Sequence, residues 1–394
     1  MPAHKKKTTT STSLEATSTV NPAEPLKPEN FHQYLRTEIR HATRAVMEEI
    51  MREELSHFLQ AEWGESTTER KGYRNGFYTR DLMTTSGPIE DLNVPRDREG
   101  AFHTQAFEHY CRYEPQVAEG LTQMFVAGTS THKVGEVAQT LMGVAPSAST
   151  ISRLNQTLTE QFEAWRERSL QPHWRVVYLD GLHFKIRHGE KCDTSLILTA
   201  LGVDLEGKKE VLALCACAEE SKDGWLNVLQ DMRRRGATQV ELLVTDGHDG
   251  LLAAVDELFP ATPRQRCLVH KLRNVLSAIP RREREDVQAE FTGIWKQEKK
   301  ETALINLNAF KAKYAQRYPE AVRSLAEDEE HLLTFYAFPS VMHRHIQTTN
   351  AIESFFSNVR QRTDQIDAFT TEMSCLTIVW AVMQDIRFHK IMVF

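Results

Sequence analysis

Arg175-Val-Val-Tyr-Leu179 is a short apolar run that ends on Asp180-Gly181. Two more runs rich in Leu, Ala and Val follow, Thr194 to Val203 and Glu210 to Ala218, with the turn-like Glu206-Gly207-Lys208 between them. Short runs separated by turn residues predict three strands paired as an antiparallel meander. The period then alternates. Asp223 to Arg235 reads as a helix, Val240 to Thr245 as a fourth strand ending on Asp246-Gly247, and Leu251 to Phe259 as a helix. Gln265 to Val269 reads as a short fifth strand and His270 to Ile279 as a helix. A meander followed by helix-linked strands predicts an α/β layer fold with a mixed sheet.

Asp180 and Asp246 each follow a predicted strand and precede a glycine, so both are expected at the rim of the sheet, where a ligand can reach them. Two carboxylates on neighbouring strands repel unless a cation lies between them. Oxygen ligands of this kind suit Mg²⁺. Either Asp taken alone reads equally as a turn residue capping the next helix. Glu353 is the candidate third acid, in Thr348-Thr349-Asn350-Ala351-Ile352-Glu353, with Ile352, Phe355, Phe356 and Val359 as the buried face of its helix. Arg360 lies two turns on and shares its side. Asn350 and Glu353 also have the spacing of a capping box, and spacing alone does not separate the two readings.

Between Asp246 and Glu353, the part from Arg281 to about Phe338 is charged and helical in pattern, an all-helical insertion into the α/β core. Arg264, Arg266, Lys271, Arg273, Arg281, Arg282 and Arg284 against Glu283 form a local basic patch suited to phosphate. Cys267 and His270 make a Cys-x-x-His pair, but no second pair nearby completes the four ligands of a zinc site. Packing and hydrogen bonding at the sheet edge is the preferred role for these two. Trp225 reads as a core residue, with stacking on a base as the other possibility.

Upstream, residues 1–27 are rich in Thr, Ser and Pro and carry Lys5, Lys6 and Lys7, a composition expected of a mobile tail. Phe31 to Trp63 is helical in period, as one long helix or two. Asn75-Gly76 signals a hairpin turn, and Ser86-Gly87-Pro88 a second turn. Arg70, Lys71, Arg74, Arg80, Arg96 and Arg98 interleave there with Tyr73, Phe77 and Tyr78, a mixture that suits a nucleic-acid surface or an ordinary polar hairpin face. Val134, Val137, Ala138 and Leu141 form a helical stripe, and Gly143 to Pro146 breaks it. Ser147 can cap a second helix whose inner face is Ile151, Leu154 and Leu158 and whose outer face offers Ser149, Thr150, Ser152, Arg153, Asn155 and Gln156. Such a pair has the pattern of a helix-turn-helix, able to place those side chains at base edges.

Composition sets bounds. The chain has 394 residues, 48 Lys and Arg against 54 Asp and Glu, and a formal net charge of −6, which excludes a uniformly basic nucleic-acid coat but not local patches. Six cysteines in a chain of this length do not make a disulfide framework and fit a reducing cytoplasm. No apolar run reaches the roughly 18–20 residues of a membrane helix, so no membrane partner is expected.

The ordered motifs resemble the Mutator-type transposases of bacterial insertion sequences. The resemblance is carried by Asp180-Gly181-Leu182-His183-Phe184-Lys185-Ile186-Arg187, Ala200 to Leu212, Trp225, Arg235-Gly236, Asp246-Gly247, Cys267-Leu268-Val269-His270-Lys271-Leu272-Arg273-Asn274 and Thr349-Asn350-Ala351-Ile352-Glu353 with Arg360. Gly72-Tyr73-Arg74-Asn75-Gly76, Pro95 to Gly100 and Ser149 to Arg153 match upstream. The resemblance implies a ribonuclease H-like catalytic core with a DDE triad on Asp180, Asp246 and Glu353, which also hold Mg²⁺, with Mn²⁺ as a substitute. It implies supporting or phosphate-contacting roles for His183, Lys185, Arg187, Cys267, His270 and Arg360. It strengthens the helix-turn-helix reading, with Arg74 as a further DNA contact.

The expected organisation is a disordered tail over 1–27, a helical region with a β-hairpin over 28–112 and a helix-turn-helix domain over 113–168. The ribonuclease H-like core follows over 169–280, interrupted by an all-helical insertion over 281–345 and completed by 346–394 with the catalytic Glu. The implied activity is binding of double-stranded terminal inverted repeats, metal-dependent cleavage of the element's ends and strand transfer into target DNA by in-line displacement. The implied setting is cytoplasmic and nucleoid-associated in a bacterium, as a homodimer or higher oligomer. The competing reading is a transposase without catalysis that acts as a sequence-specific DNA-binding regulator.

Overall fold

The computed structural model describes residues 28–107, 112–126, 129, 131–188, 191–364, 366–384, 386 and 388–391. The Thr/Ser-rich stretch 1–27, with its Lys run, lies outside them. Two compact units emerge: one runs to Val117 and includes Gln139–Val144, and the other comprises Ala118–Ala138 and Ala145 onward.

In the first unit, α1 (Pro28–Leu59) is one continuous helix of 32 residues. Its C-terminal part buries Met51, with Met47 half-buried beside it, against Leu82, Ile89, Leu92 and Val94 of a hairpin. The hairpin pairs β1 (Arg74–Thr84) with β2 (Gly87–Asp97). Asn75-Gly76 is not its turn. The chain reverses between Thr84 and Gly87, which pair directly, and the Thr84 hydroxyl donates to the Gly87 carbonyl. Asn75-Gly76 instead sits in a register shift between Arg74 and Phe77, with Gly76 at φ +69. The left-handed conformation that the dipeptide favours serves a bulge here.

Three helices follow, α2 (Pro115–Val126), α3 (Thr131–Met142) and α4 (Ala148–Glu167). In α3 the predicted stripe splits: Val134 and Ala138 are buried, whereas Val137 and Leu141 are exposed. Ser147 caps α4 as expected, its hydroxyl accepting from the Thr150 N–H.

The second unit is a mixed α/β structure. β3 (His173–Trp174) pairs with β7 (Gln239–Val240) in a short parallel ladder. The main sheet holds β4 (Val176–His188), β5 (Lys191–Val203), β6 (Lys209–Cys217), β8 (Leu243–Thr245) and β9 (Arg264–Arg266) in the order β6-β5-β4-β8-β9. The first three are antiparallel, as expected, and β8 and β9 join in parallel. α5 (Lys222–Arg234) and α6 (Asp249–Leu258) provide the helical links.

Alternation along β4 divides two cores. Val177 and Leu179 pack with Trp225, Val228, Leu229, Leu251 and Val255 of α5 and α6. Val176, Tyr178, Leu182, Phe184 and Ile186 face the larger core on the other side. That core is completed by α7 (Leu268–Ser277), α8 (Arg284–Trp295), α9 (Lys300–Tyr314), α10 (Pro319–Glu327), α11 (Glu329–Leu332), α12 (Ser340–Ile346), α13 (Asn350–Thr363) and α14 (Glu372–Gln384). Among the described residues no helix is long and apolar enough to cross a membrane.

One boundary differs with consequence. β9 stops at Arg266, and Leu268 and Val269 belong to α7, not to a strand. Cys267 is the N-cap, and the Leu268 N–H is taken by the Gln347 carbonyl, where the chain returns from its helical excursion.

Candidate active site

Asp180 does not end its strand. β4 continues to His188 because β5 pairs with it along its whole length. Its other neighbour, β8, pairs only as far as Leu179 with Thr245. Asp180 is thus the first residue of β4 past that ladder, and Asp246 is the first residue past β8. The two acids occupy equivalent rungs on adjacent parallel strands, which lie about 4.8 Å apart. Both face the larger core by alternation, and both are half-buried. The Gly181 N–H donates to Asp180 Oδ1 at 2.8 Å, and the His248 N–H to Asp246 Oδ1 at 3.1 Å. Gly247 has φ +83, and a Cβ there would stand 2.3 Å from the Arg266 guanidinium, so this Asp-Gly turn requires glycine.

Glu353 enters from the first turn of α13. The return segment docks on the start of α7: the Thr349 N–H and hydroxyl both lie 3.3 Å from Cys267 Sγ. The same hydroxyl reaches Glu353 Oε1 at 3.1 Å and His270 Nδ1 at 3.4 Å. His270 Nε2 stands 3.9 Å from Glu353 Oε1. The capping-box expectation fails: Thr349, not Asn350, is the N-cap, and the Glu353 carboxylate meets the Thr349 hydroxyl.

Electrostatics tie these groups together. Burial holds the Asp180 carboxyl up at about 7, with the Asp246 charge the next cause and Glu353 a lesser one, against the Gly181 N–H and the His270 charge. His270 is pushed above the ordinary histidine range, first by its hydrogen bond with Cys267 and then, against burial, by the charges of Cys267, Asp180 and Asp246. Cys267 is held below the usual thiol range: burial raises it, but hydrogen bonds from His270 and Thr349 outweigh that. Among the described residues, the ligand atoms of Cys267, His270 and Glu353 lie within 4.8 Å of one another, while the three carboxylates do not form so tight a group.

One participant escaped the sequence reading. Glu220, just before α5, accepts from Trp225 Nε1 at 2.9 Å and lies 3.7 Å from His248 Nδ1. Burial pushes its carboxyl up, and the Asp246 charge adds to this, against the Trp225 hydrogen bond and the His248 and His183 charges. Its signal in the sequence was the buried Trp five residues on, whose indole N–H must find an acceptor. Trp225 itself is fully buried, which removes base stacking.

The remaining candidates divide. His183, Lys185 and Arg187 are exposed and alternate onto the face of β4 opposite Asp180, and Arg360 is exposed on α13. Arg153 and Gln156 are exposed on α4 and Thr150 is half-buried there, while the side chains of Ser149, Ser152 and Asn155 lie outside the described set. Arg74 is engaged within its own unit, donating to Ser56 Oγ and the carbonyls of Ala61 and Glu62.

The sequence model described as "Transposase, Mutator family" matches residues 18–390. The chain belongs to the Mutator family of transposases. It is 36% identical over 368 residues to the transposase for insertion sequence element ISRM5 of Rhizobium meliloti, covering 89% of this chain and 92% of that one. It is 31% identical to the transposase for IS1201 of Lactobacillus helveticus, covering 89% and 94%. It is 29% identical to the transposase for IS256 in transposon Tn4001 of Staphylococcus aureus, covering 87% and 88%.

Proposed function

We propose that this Mutator-family transposase is a DDE enzyme with a ribonuclease H-like core. It binds double-stranded DNA at terminal inverted repeats, cuts the element's ends and joins them to target DNA. The observation that carries this reading is the rung-for-rung placement of Asp180 and Asp246, with Glu353 in their field.

The donor set fits a hard divalent ion. Three carboxylates share one region, and one of them is held far above its ordinary range by burial and by the others. Asp180, Asp246 and Glu353 would hold Mg²⁺, or Mn²⁺ in its place, which supplies Lewis-acid polarisation of the scissile phosphate and eases deprotonation of the attacking hydroxyl. The protein's own part is positioning. The Gly181 and His248 N–H groups each fix one oxygen of Asp180 and Asp246, and the Thr349 hydroxyl fixes Glu353. His270 Nε2 stands 3.9 Å from Glu353 Oε1, and the Asp180 and Asp246 charges favour its protonated form. Water is the first nucleophile and leaves a 3′-OH; that 3′-OH then attacks a target phosphodiester, one P–O bond forming as another breaks. Arg360 and the basic stretch around Arg281 and Arg282 supply phosphate contacts, and α3 with α4 supplies a helix-turn-helix in which Arg153 and Gln156 face the DNA.

The test uses purified protein, a duplex bearing the element's end, and Mg²⁺ or a chelator. Asp180→Asn, Asp246→Asn and Glu353→Gln each abolish end cleavage while duplex binding, read by mobility shift, persists. Metal-dependent cleavage by Glu353→Gln at the parent rate refutes the triad. Loss of cleavage in the parent with binding retained points to the regulator reading instead.

A further inference from the structure

The Cys-x-x-His pair offers two metal ligands, and the fold brings a third to it. Among the described residues, one ligand atom each from Cys267, His270 and Glu353 lies within 4.8 Å of the other two, and no other such group of three occurs. Cys267 is the N-cap of α7 and His270 lies three residues on, so the two share one side of its first turn. Glu353 arrives from the far end of the helical excursion. It is fastened there because the Thr349 N–H and hydroxyl, one turn before it, meet Cys267 Sγ. His270 Nε2 then stands 3.9 Å from Glu353 Oε1.

The donor types decide which ion fits. Mg²⁺ takes oxygen ligands and has little affinity for sulfur. One sulfur, one imidazole nitrogen and one carboxylate oxygen suit Zn²⁺ or Co²⁺. Zinc sites with an open position use three protein ligands and leave the fourth place to water. At bond lengths of about 2.0–2.3 Å, tetrahedral ligand atoms stand roughly 3.3–3.7 Å apart. The observed spacing needs a closure of about 1 Å at most. Rotation of the half-buried His270 and Glu353 side chains can supply it, while Cys267 is buried and fixed. Thr349 provides the support found behind metal ligands: it contacts the sulfur, and its hydroxyl reaches Glu353 Oε1 at 3.1 Å.

We propose that Cys267, His270 and Glu353 form a second metal site, selective for a thiophilic divalent ion such as Zn²⁺. An ion held there keeps Glu353 from Asp180 and Asp246 and so inhibits Mg²⁺-dependent cleavage. The inhibition rests on the three-carboxylate reading above; the site itself does not.

The test titrates the full chain, stripped of metal, with Co²⁺, whose absorption reports its ligands. The parent is expected to show a thiolate-to-cobalt band in the near ultraviolet and the strong visible bands of a tetrahedral site. Cys267→Ala loses the thiolate band and binds Co²⁺ at least ~100-fold more weakly, since even residues behind metal ligands are worth about 10- to 100-fold. Asp246→Asn keeps the spectrum, because the aspartates take no part. Circular dichroism checks that each variant is folded. In end cleavage at fixed Mg²⁺, Zn²⁺ inhibits the parent at the concentrations that displace Co²⁺, and a zinc-selective chelator restores the rate. The residual cleavage of Cys267→Ser withstands at least ~10-fold more Zn²⁺. A parent without the thiolate band, or a band that survives Cys267→Ala or vanishes in Asp246→Asn, overturns the site. Unchanged cleavage with the site saturated by Zn²⁺ overturns the inhibition. If Glu353→Gln still cleaves, the triad falls, and the cobalt spectrum alone decides the site.

Discussion

Asp180 and Asp246 stand side by side, each one residue past the Leu179–Thr245 pair of two parallel strands. Their proximity is set by main-chain register and so does not depend on a bound ion. What it costs is visible in Asp180, held at about 7 by burial first and by Asp246 next.

That cost predicts a pH-dependent stability. With a folded pKa raised above the unfolded value, the folded state binds the extra proton between about pH 4 and 7, so stability falls as pH rises through that window. In chelator, Asp180→Asn is expected to melt ~5 °C above the parent at pH 8 and level with it at pH 4. Adding Mg²⁺ at pH 8 raises the parent and leaves the variant nearly unmoved. Equal pH profiles for the two proteins in chelator would remove the electrostatic account.

Thr349 has one hydroxyl proton, and its hydroxyl lies within reach of Cys267 Sγ, Glu353 Oε1 and His270 Nδ1. Thr349→Val keeps the shape and deletes the link. Cleavage is expected to fall ~10- to 100-fold, as for other residues that orient a metal ligand, while Thr349→Ser keeps most of it. The comparison is single-turnover cleavage of the two variants at saturating Mg²⁺, with melting temperature as control.

Much of this was readable beforehand. The antiparallel meander and the turns at the two Asp-Gly pairs follow from short-range composition. What could not be read is what depends on partners far along the chain. Asp180 seemed to end a strand because nothing local says that β5 would extend β4 to His188. Asn75-Gly76 carries the same left-handed preference in a bulge as in a turn. Asn350 and Glu353 have capping-box spacing, and only the contact with Cys267 hands the cap to Thr349. Glu220 was missed because a lone carboxylate before a helix looks like any other until Trp225 and His248 are placed against it.

Glu220 therefore yields its own prediction. The Asp246 charge bears on Glu220 with no hydrogen bond between the two carboxylates. Glu220→Gln keeps an acceptor for Trp225 and removes one negative charge from the site, so the Mg²⁺ concentration for half-maximal cleavage should rise roughly three- to tenfold with little change in maximal rate. A fall in maximal rate at unchanged Mg²⁺ dependence would assign Glu220 a different role.

The acids reach the sheet rim only if the helices around them hold, and Asp328 bears on that. It accepts from Arg266 Nε at 2.9 Å and from Lys271 Nζ at 2.6 Å, and Lys271 is almost wholly buried. Burial raises the Asp328 carboxyl, but the Lys271 and Arg266 contacts outweigh this and hold it below the usual range. Its contribution to stability is thus present above pH 4 and is lost as pH falls through the depressed folded value. Asp328→Asn leaves the Lys271 ammonium without its counter-charge, at a cost of about 3 kcal/mol at pH 7. The deficit against the parent should shrink as pH drops below about 4, where the parent protonates Asp328 and loses the same interaction. Arg266 also lies against Gly247, so Asp328→Asn should slow cleavage as well, and that loss should be partly recovered at low temperature, where the fold is intact. A variant as stable as the parent at pH 7 would show that Ser324, whose carbonyl accepts from Lys271 at 2.6 Å, satisfies that ammonium alone.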